Sequence, residues 1–439
     1  MLLLILFLVY SSLRISNGAP ATPEKPNIIL ISVDSLRADH LGIYGYDRNT
    51  TPNIDNFGKE STVFENAYTP IPCTTPSYAS LLSGLIPEKH DVFTKPLDAS
   101  ITTLPEDLKK NGYRTAAFVS TNDIGAQVSG LNRGFDVYDA VDASDNAKNK
   151  DLTYGQKAEN ILQYQRAERT TEEAQTWLEN NKNEKFFLFL QYVDPHDPYG
   201  EAPPFEDKFV VGNRDNPLSD PQKQQEIFHL GYADVKDTQY LIDKYDESIN
   251  YADFYIGKLL DGIKSQKMFE NTIIIITSDH GESFENNYLS HCHRLFNSTI
   301  NVPLIIHDPK INNRGRSQEL VSLTDIYPTL SERLKLKTEN DNLPGLSILP
   351  ALEGGGLSRQ YLYSVIGSAA GPYPVGDSWE ISPNKNKYIG ILYAIITKEM
   401  RVVYNASSGE TLVYNLKGDL TQKTVTPKEV PLLLEELKK

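Results

Sequence analysis

Read for polar and apolar positions, the chain is a succession of short runs that stay apolar without alternating, separated by longer stretches with a helical repeat. Pro26 to Asp34 reads PNIILISVD, Lys185 to Tyr192 reads KFFLFLQY, Asn271 to Thr277 reads NTIIIIT, and Val302 to Ile306 reads VPLII. A strand that is apolar at every position is buried on both faces, as in the parallel sheet of an α/β fold. Between these runs the period changes. Thr51-Pro-Asn53-Ile-Asp55 opens a helix ahead of a short strand at Val63-Phe64, and LPEDLKKNGYRTAAFVS after Thr103 predicts a helix, a stop at Gly112 and another buried strand. From Asp237 to Ser265, residues Tyr245, Ile249, Ala252, Ile256, Leu259 and Ile263 recur at steps of four and three, which predicts one long amphipathic helix. The βαβ rhythm predicts an α/β fold, a doubly wound sheet with helices on both faces.

The remaining segments break that rhythm. Residues 140–185 are polar and charge-rich, with Ile161, Leu162, Ala174, Trp177 and Leu178 as apolar contacts, and predict one or two exposed amphipathic helices. Residues 200–232 are rich in Pro, Asp, Asn and Gln and read as a lid or a surface insertion. Asp325-Ile-Tyr-Pro328-Thr329 precedes a helix, followed by a Gly-rich stretch near Gly345 and Gly354 to Gly356. From Lys387 to Lys439 the strands YIGILYAIIT, MRVVYNA and ETLVYNL and a closing helix predict a small antiparallel subdomain. At the other end, an apolar run from Leu2 to Tyr10 and small residues at Ala19 and Ala21 resemble a signal peptide over residues 1–21 that lacks a basic start. The run is short for a bilayer span, so an uncleaved anchor is the alternative and export is expected either way.

A formal net charge of -15 and a pI near 5.1 argue against nucleic acid or an anionic membrane as the main partner, since both need a basic face. The two cysteines, Cys73 and Cys292, make no disulfide framework; each lies beside a candidate site residue, so a disulfide is the alternative if the fold brings the two segments together, and two independent buried thiols are the default expectation.

The candidate chemistry gathers at strand ends. Thr69 to Gly84, TPIPCTTPSYASLLSG, sets Thr74 and Thr75 directly before Pro76-Ser77 and a helical run. A hydroxyl there faces the anion-stabilising N–H groups of a helix start, although an ordinary loop entering a buried helix has the same pattern. Asp34 ends the first buried strand, where it is either a ligand-type carboxylate or a helix cap. Asp194-Pro195-His196 leaves the KFFLFLQY strand, as a ligand loop or as a plain turn, and Asp279-His280 leaves the NTIIIIT strand. His291 and His293 follow, so four of the eight histidines fall beside strand ends, which points to a metal or anion site.

Taken together these segments resemble the sulfatase branch of the alkaline phosphatase superfamily from about Pro26 to the C-terminus. Thr74 occupies the nucleophile place, with Pro76, Ser77, Leu81, Ser83 and Gly84 in register, and Asp34, Asp279-His280 and His291 match the order of the family's metal and anion ligands. Thr51 to Asp55, Gly112 to Thr115 and Asp325 to Thr329 are further similarities. The resemblance implies an alkaline-phosphatase-like, large, mixed, mostly parallel sheet, a catalytic domain over residues 26–335 and a C-terminal subdomain over residues 336–439. It also departs from the pattern. Sulfatases need a cysteine or serine that becomes formylglycine; Thr74 cannot make that aldehyde, so none is expected, and Cys73 lies one residue too early. Tyr78 stands where the family has Arg, and His293 is the nearest candidate for its Lys.

A threonine nucleophile resembles the phosphoryl-transfer branches. The expected machinery is one divalent cation (Mn, Zn, Mg or Ca) on Asp34, Thr74, Asp279 and His280, with a second ion or an anion on Asp194, His196 and His291 as an alternative. His196, His291 and His293 would assist catalysis beside Thr74, and Ser77, Tyr78 and Arg294 would contact substrate. The expected activity is hydrolysis of phosphomonoesters or phosphodiesters, or phosphoalcohol transfer. Sulfate-ester hydrolysis without formylglycine and non-catalytic anion binding are the alternatives. Substrates would be small-molecule, glycan or lipid esters met outside the cell, in a periplasm or at the cell surface.

Overall fold

The computed structural model describes residues 25–93, 95–140, 165–201, 204–212, 216–230, 235–285, 288–338, 343–367, 391–406, 409 and 411–416. The expected signal peptide, the apolar positions Ile161 and Leu162, and the closing helix therefore lie outside the described residues.

The main sheet has eight strands: β1 Asn27–Val33, β2 Thr62–Tyr68, β3 Arg114–Val119, β4 Val137–Ala140, β5 Phe186–Tyr192, β6 Thr272–Thr277, β7 Leu304–His307 and β8 Gly315–Ser322, in the order β4-β3-β5-β1-β6-β7-β2-β8. Every pairing is parallel except the two made by β7. The continuous apolar runs have the reason the pattern suggested. Ile29, Ile31, Leu188, Leu190, Ile274 and Ile276 enter the core on one face, while Ile28, Leu30, Phe187, Phe189, Ile273 and Ile275 enter the core on the other.

Helices cover both faces. On the first lie α1 Pro52–Lys59, α4 Ala167–Asn181 and α6 Val235–Ser265; on the second lie α2 Thr74–Ser83, α3 Leu104–Lys110 and α7 Ile326–Leu334. The long helix α6 begins at Val235, two residues before its expected start, and ends at Ser265 as its pattern predicts. Residues Pro221–Leu230 form α5, so the 200–232 segment has structure of its own. Gln224 holds it to the loop that follows β5, accepting from Tyr199 N at 2.7 Å and donating to Tyr199 O at 2.8 Å.

The second sheet is antiparallel, in the order β12-β11-β10-β9, with β9 Leu362–Ile366, β10 Leu392–Ile396, β11 Met400–Asn405 and β12 Thr411–Asn415. The sequence reading found three of these strands and gave no element to the region of β9, which lies between the Gly-rich stretch ending at Gly356 and the expected subdomain starting at Lys387. Ile366, Ala394 and Val403 pack against Tyr68, Leu295 and Ile300 of the main body. Val365 N also donates to Pro70 O at 2.8 Å, and Ser364 Oγ to Thr69 O at 2.6 Å. The small sheet thus grips the segment that leads from β2 to Thr74.

Candidate active site

Strands β5, β1 and β6 are neighbours at the middle of the main sheet, and Val33 is level with Tyr192 as Ser32 is with Thr277. Whatever follows their carboxyl ends must meet. The residues that follow are Asp34, Asp194 with His196, and Asp279 with His280, at the sheet edge where α/β folds hold ligands. Helix α2 presents its first residue to the same place. Its N-cap is Cys73, its C-cap is Gly84 at φ 69°, and Ser77 Oγ donates to Asp279 O at 2.7 Å, which ties its first turn to the end of β6.

Asp34, Asp279 and His280 are buried, and one donor atom from each lies within 4.8 Å of the others. Asp34 accepts from Ser35 Oγ and from Gln191 Nε2, both at 3.0 Å. Asp279 Oδ1 accepts from the backbone N–H of Ser35 at 3.2 Å and of His280 at 2.9 Å, whereas its Oδ2 finds no donor. His280 Nδ1 is 2.9 Å from Gly281 O, which can only accept, so the proton sits on Nδ1. The lone pair of Nε2 then faces Thr74 Oγ1 at 3.1 Å, Asp279 Oδ2 at 3.4 Å and Asp34 Oδ1 at 3.9 Å. Two carboxylates and a bare imidazole nitrogen pointed at one another are mutually repulsive without a positive charge between them.

The proton affinities follow. Burial, and then the neighbouring Asp279, pushes the Asp34 carboxyl up to about 7; burial pushes Asp279 to about 7 as well. Burial pushes His280 down to about 3, with His291 adding to it, so the ring stays neutral as a metal ligand must. An orphaned carboxylate oxygen beside a mixed carboxylate and imidazole set fits a divalent cation.

A row of imidazoles continues from His280. The His291 ring stacks on His280 with centroids 4.3 Å apart, and His196 meets His291 edge-on at 4.9 Å. His196 is 2.8 Å from Asp197 O and 3.3 Å from Asp197 Oδ1; burial lowers its proton affinity, but Asp197 and Asp34 outweigh this and raise it to about 10. Burial, His291 and Arg294 hold His293 down at about 3. Cys73 and Cys292 form a disulfide with Cα atoms 4.7 Å apart, not two thiols. It pins the residue before Thr74 to the residue between His291 and His293.

Other expected site residues lie elsewhere. Asp194 accepts from Ala167 N and pairs with Arg166 Nε, both at 3.2 Å; Asp194, His196 and His291 do not come together as a ligand group among the described residues. Ser77 is fully buried and spent on Asp279 O and Thr69. Tyr78 is also fully buried, donating to Ser32 Oγ at 3.0 Å and packing on Phe189. Both lie on the side of α2 that packs on the sheet, so they frame the site instead of facing substrate. Arg294 stacks over Tyr288 at 4.9 Å and donates to His293 O. Sequence reasoning gave no role to Gln191, Ser35, Tyr199 or Glu282. Gln191 had a signal, as the one polar residue within the apolar run FFLFLQY.

The sulfatase family model matches residues 26–336. The chain belongs to the sulfatase family. It is a hydrolase of ester bonds in the alkaline phosphatase superfamily, and the family is metal-dependent. The chain is 24% identical to an arylsulfatase of Clostridium perfringens, over 91% of this chain and 90% of that protein. It is 25% identical to a choline-sulfatase of Rhizobium meliloti, over 92% and 86%. A crystal structure of a phosphonate monoester hydrolase of Agrobacterium radiobacter matches with a TM-score of 0.73 at 20% identity, covering 94% of each chain, which supports the fold. Among the described residues no helix is long and apolar enough to cross a membrane.

Proposed function

We propose that this sulfatase-family hydrolase cleaves phosphate monoesters or diesters, or transfers the phosphoalcohol group, with Thr74 as nucleophile. The observation that carries the reading is the place of Thr74 Oγ1, at a helix start and 3.1 Å from His280 Nε2 beside Asp34 and Asp279. Threonine has no route to formylglycine, and a plain hydroxyl attacks phosphorus to leave an ester that water can cleave. A divalent cation on Asp34, Asp279, His280 and Thr74, when bound, supplies the charge that lowers the pKa of the hydroxyl. Asp34 and Asp279 keep the site anionic enough to hold it. Thr74 Oγ1 gives up its proton and forms a bond to the phosphorus as the P–O bond to the alcohol breaks, the alcohol leaving with that electron pair and taking up a proton, and the imidazoles of His196 and His291 border the space the anion enters. His196, held charged by Asp197 and Asp34, is suited to neutralise a non-bridging oxygen. His293, one residue beyond the disulfide, completes the histidine set.

The second reading is a sulfate ester hydrolase working without formylglycine, favoured by the arylsulfatase and choline-sulfatase similarities. A panel of aryl phosphates, phosphodiesters and aryl sulfates, assayed with Mn²⁺, Zn²⁺, Mg²⁺ and Ca²⁺, separates the two. The first reading expects phosphoester turnover that Thr74→Ala lowers by about 10³-fold or more; turnover unchanged in that variant removes the nucleophile. The natural substrate is expected outside the cell, in line with the leader-like N-terminus.

A further inference from the structure

Glu282 is fully buried two residues beyond His280, and no step above uses it. Its Oε1 accepts from Ser283 N at 3.2 Å and its Oε2 from Tyr199 OH at 2.9 Å, while His291 Nδ1 lies 3.3 and 3.2 Å from the two oxygens. Burial raises the proton affinity of Glu282, while His196 and the Tyr199 donor oppose this; in its ionised form the carboxylate can only accept, and the hydrogen shared with His291 then belongs on Nδ1. The neutral ring then carries its lone pair on Nε2, and that ring stacks on His280, which in turn touches Thr74. A bare Nε2 cannot donate to an anionic oxygen. It can accept a proton from water.

We propose that Glu282 is a positioning residue that fixes His291 with its proton on Nδ1 and its free Nε2 toward the water that cleaves the covalent ester on Thr74. This rests on the nucleophile reading above. In the step, a water lone pair forms the new O–P bond, the Thr74 Oγ–P bond breaks with its electrons going to Oγ, and the water proton passes through His291 Nε2 to Thr74. Tyr199 supports the arrangement from the far side, so the segment that Gln224 ties to Tyr199 also reaches the reacting centre.

The test follows the second half-reaction. In Glu282→Gln the amide can donate to Nδ1 and reverse the tautomer with little change in shape. With 4-nitrophenyl phosphate and metal-loaded enzyme, a burst of one nitrophenol per enzyme is expected, then a steady rate about 10²-fold below wild type. A phosphate mass should accumulate on the peptide containing Thr74. Glu282→Asp should recover part of the rate. His291→Ala should show the same burst, and the double variant with Glu282→Gln should be no slower than His291→Ala alone. Loss of rate without a burst, or losses that multiply in the double variant, overturns the proposal. Independently of turnover, nitrogen-15 spectra of labelled histidines should place the His291 proton on Nδ1 in wild type and shift it in Glu282→Gln. A wild-type proton on Nε2 defeats the inference and leaves the Thr74 reading intact, whereas activity that survives Thr74→Ala defeats that reading first.

Discussion

Cys73 and Cys292, 219 residues apart in sequence, are joined by a disulfide one residue from Thr74 on one side and one from both His291 and His293 on the other. Pro72 O accepts from Cys292 N at 2.7 Å in the same place. The bridge therefore closes a long loop and registers Thr74, the proposed nucleophile, against the histidine row. The double variant Cys73→Ser/Cys292→Ser should lose about 2–5 kcal/mol of stability in urea unfolding. It should also lose turnover more steeply than an equally destabilising core change, because two half-sites come out of register. Titration with a reductant should reproduce both losses.

Asp279 gives a pH signature. Its folded-state carboxyl is raised from 3.8 to about 7, so the folded chain holds that proton more tightly than the unfolded chain does. The contribution is fully present below about 4 and is lost as pH rises through about 7. In metal-free protein, Asp279→Asn should therefore gain on wild type as pH rises through that range, by on the order of 2–4 kcal/mol once pH 8 is reached. Adding the divalent cation should reverse the ranking, raising the melting temperature of wild type and leaving that of the variant nearly still.

Gly281 sets how closely the loop after His280 approaches the short helix Asn297–Ile300. A Cβ there would overlap Ser298 O, and Gly281 N donates to Thr299 O at 3.0 Å. Backbone cannot swing aside as a side chain can. Gly281→Ala should cost about 1–3 kcal/mol, and by displacing His280 it should lower kcat by roughly 10²-fold. Circular dichroism melts and steady-state kinetics separate the two effects.

Arg401 on β11 is buried with its guanidinium 4.5 Å from the Tyr414 ring, and its Nε and Nη1 find no hydrogen-bond partner. Burial lowers its proton affinity to about 10, although Tyr414 and Tyr68 oppose the change. A methionine of similar length removes a buried charge that is only partly offset by the Tyr414 ring and by Glu285. Arg401→Met should leave stability unchanged or raise it by about 1–4 kcal/mol in chemical denaturation.

What the sequence made legible was whatever depends on local pattern. The runs around Ile28 to Val33 and Ile273 to Ile276 identify buried strands because each side chain must be apolar when both sheet faces are covered. Their terminal Asp34 and Asp279-His280 stand out as candidate ligands because strand ends are where polar groups can converge, and the fold does bring the three together. The family departure at Thr74 was legible in the same way. What escaped depends on contacts far apart along the chain. Glu282 reads as one more acid until Tyr199 and His291 arrive from other segments. Tyr78 reads as a substrate contact until the rotation of α2 turns it onto Phe189. Strand β9 is five residues long, too short for its pattern to stand out from the polar connection around it. The Cys73–Cys292 pairing required the fold itself, since nothing in spacing brings residue 73 to residue 292.

The juxtaposition of β5, β1 and β6 has a consequence for how such a protein can be altered. The candidate ligands Asp34, Asp279 and His280 follow directly on strands at the middle of the main sheet, whereas His291 beside them comes from a separate segment. Changes in the outlying segments would leave the mutual register of those three residues untouched. Moving any of those three strands by one residue would silence the protein for every substrate at once.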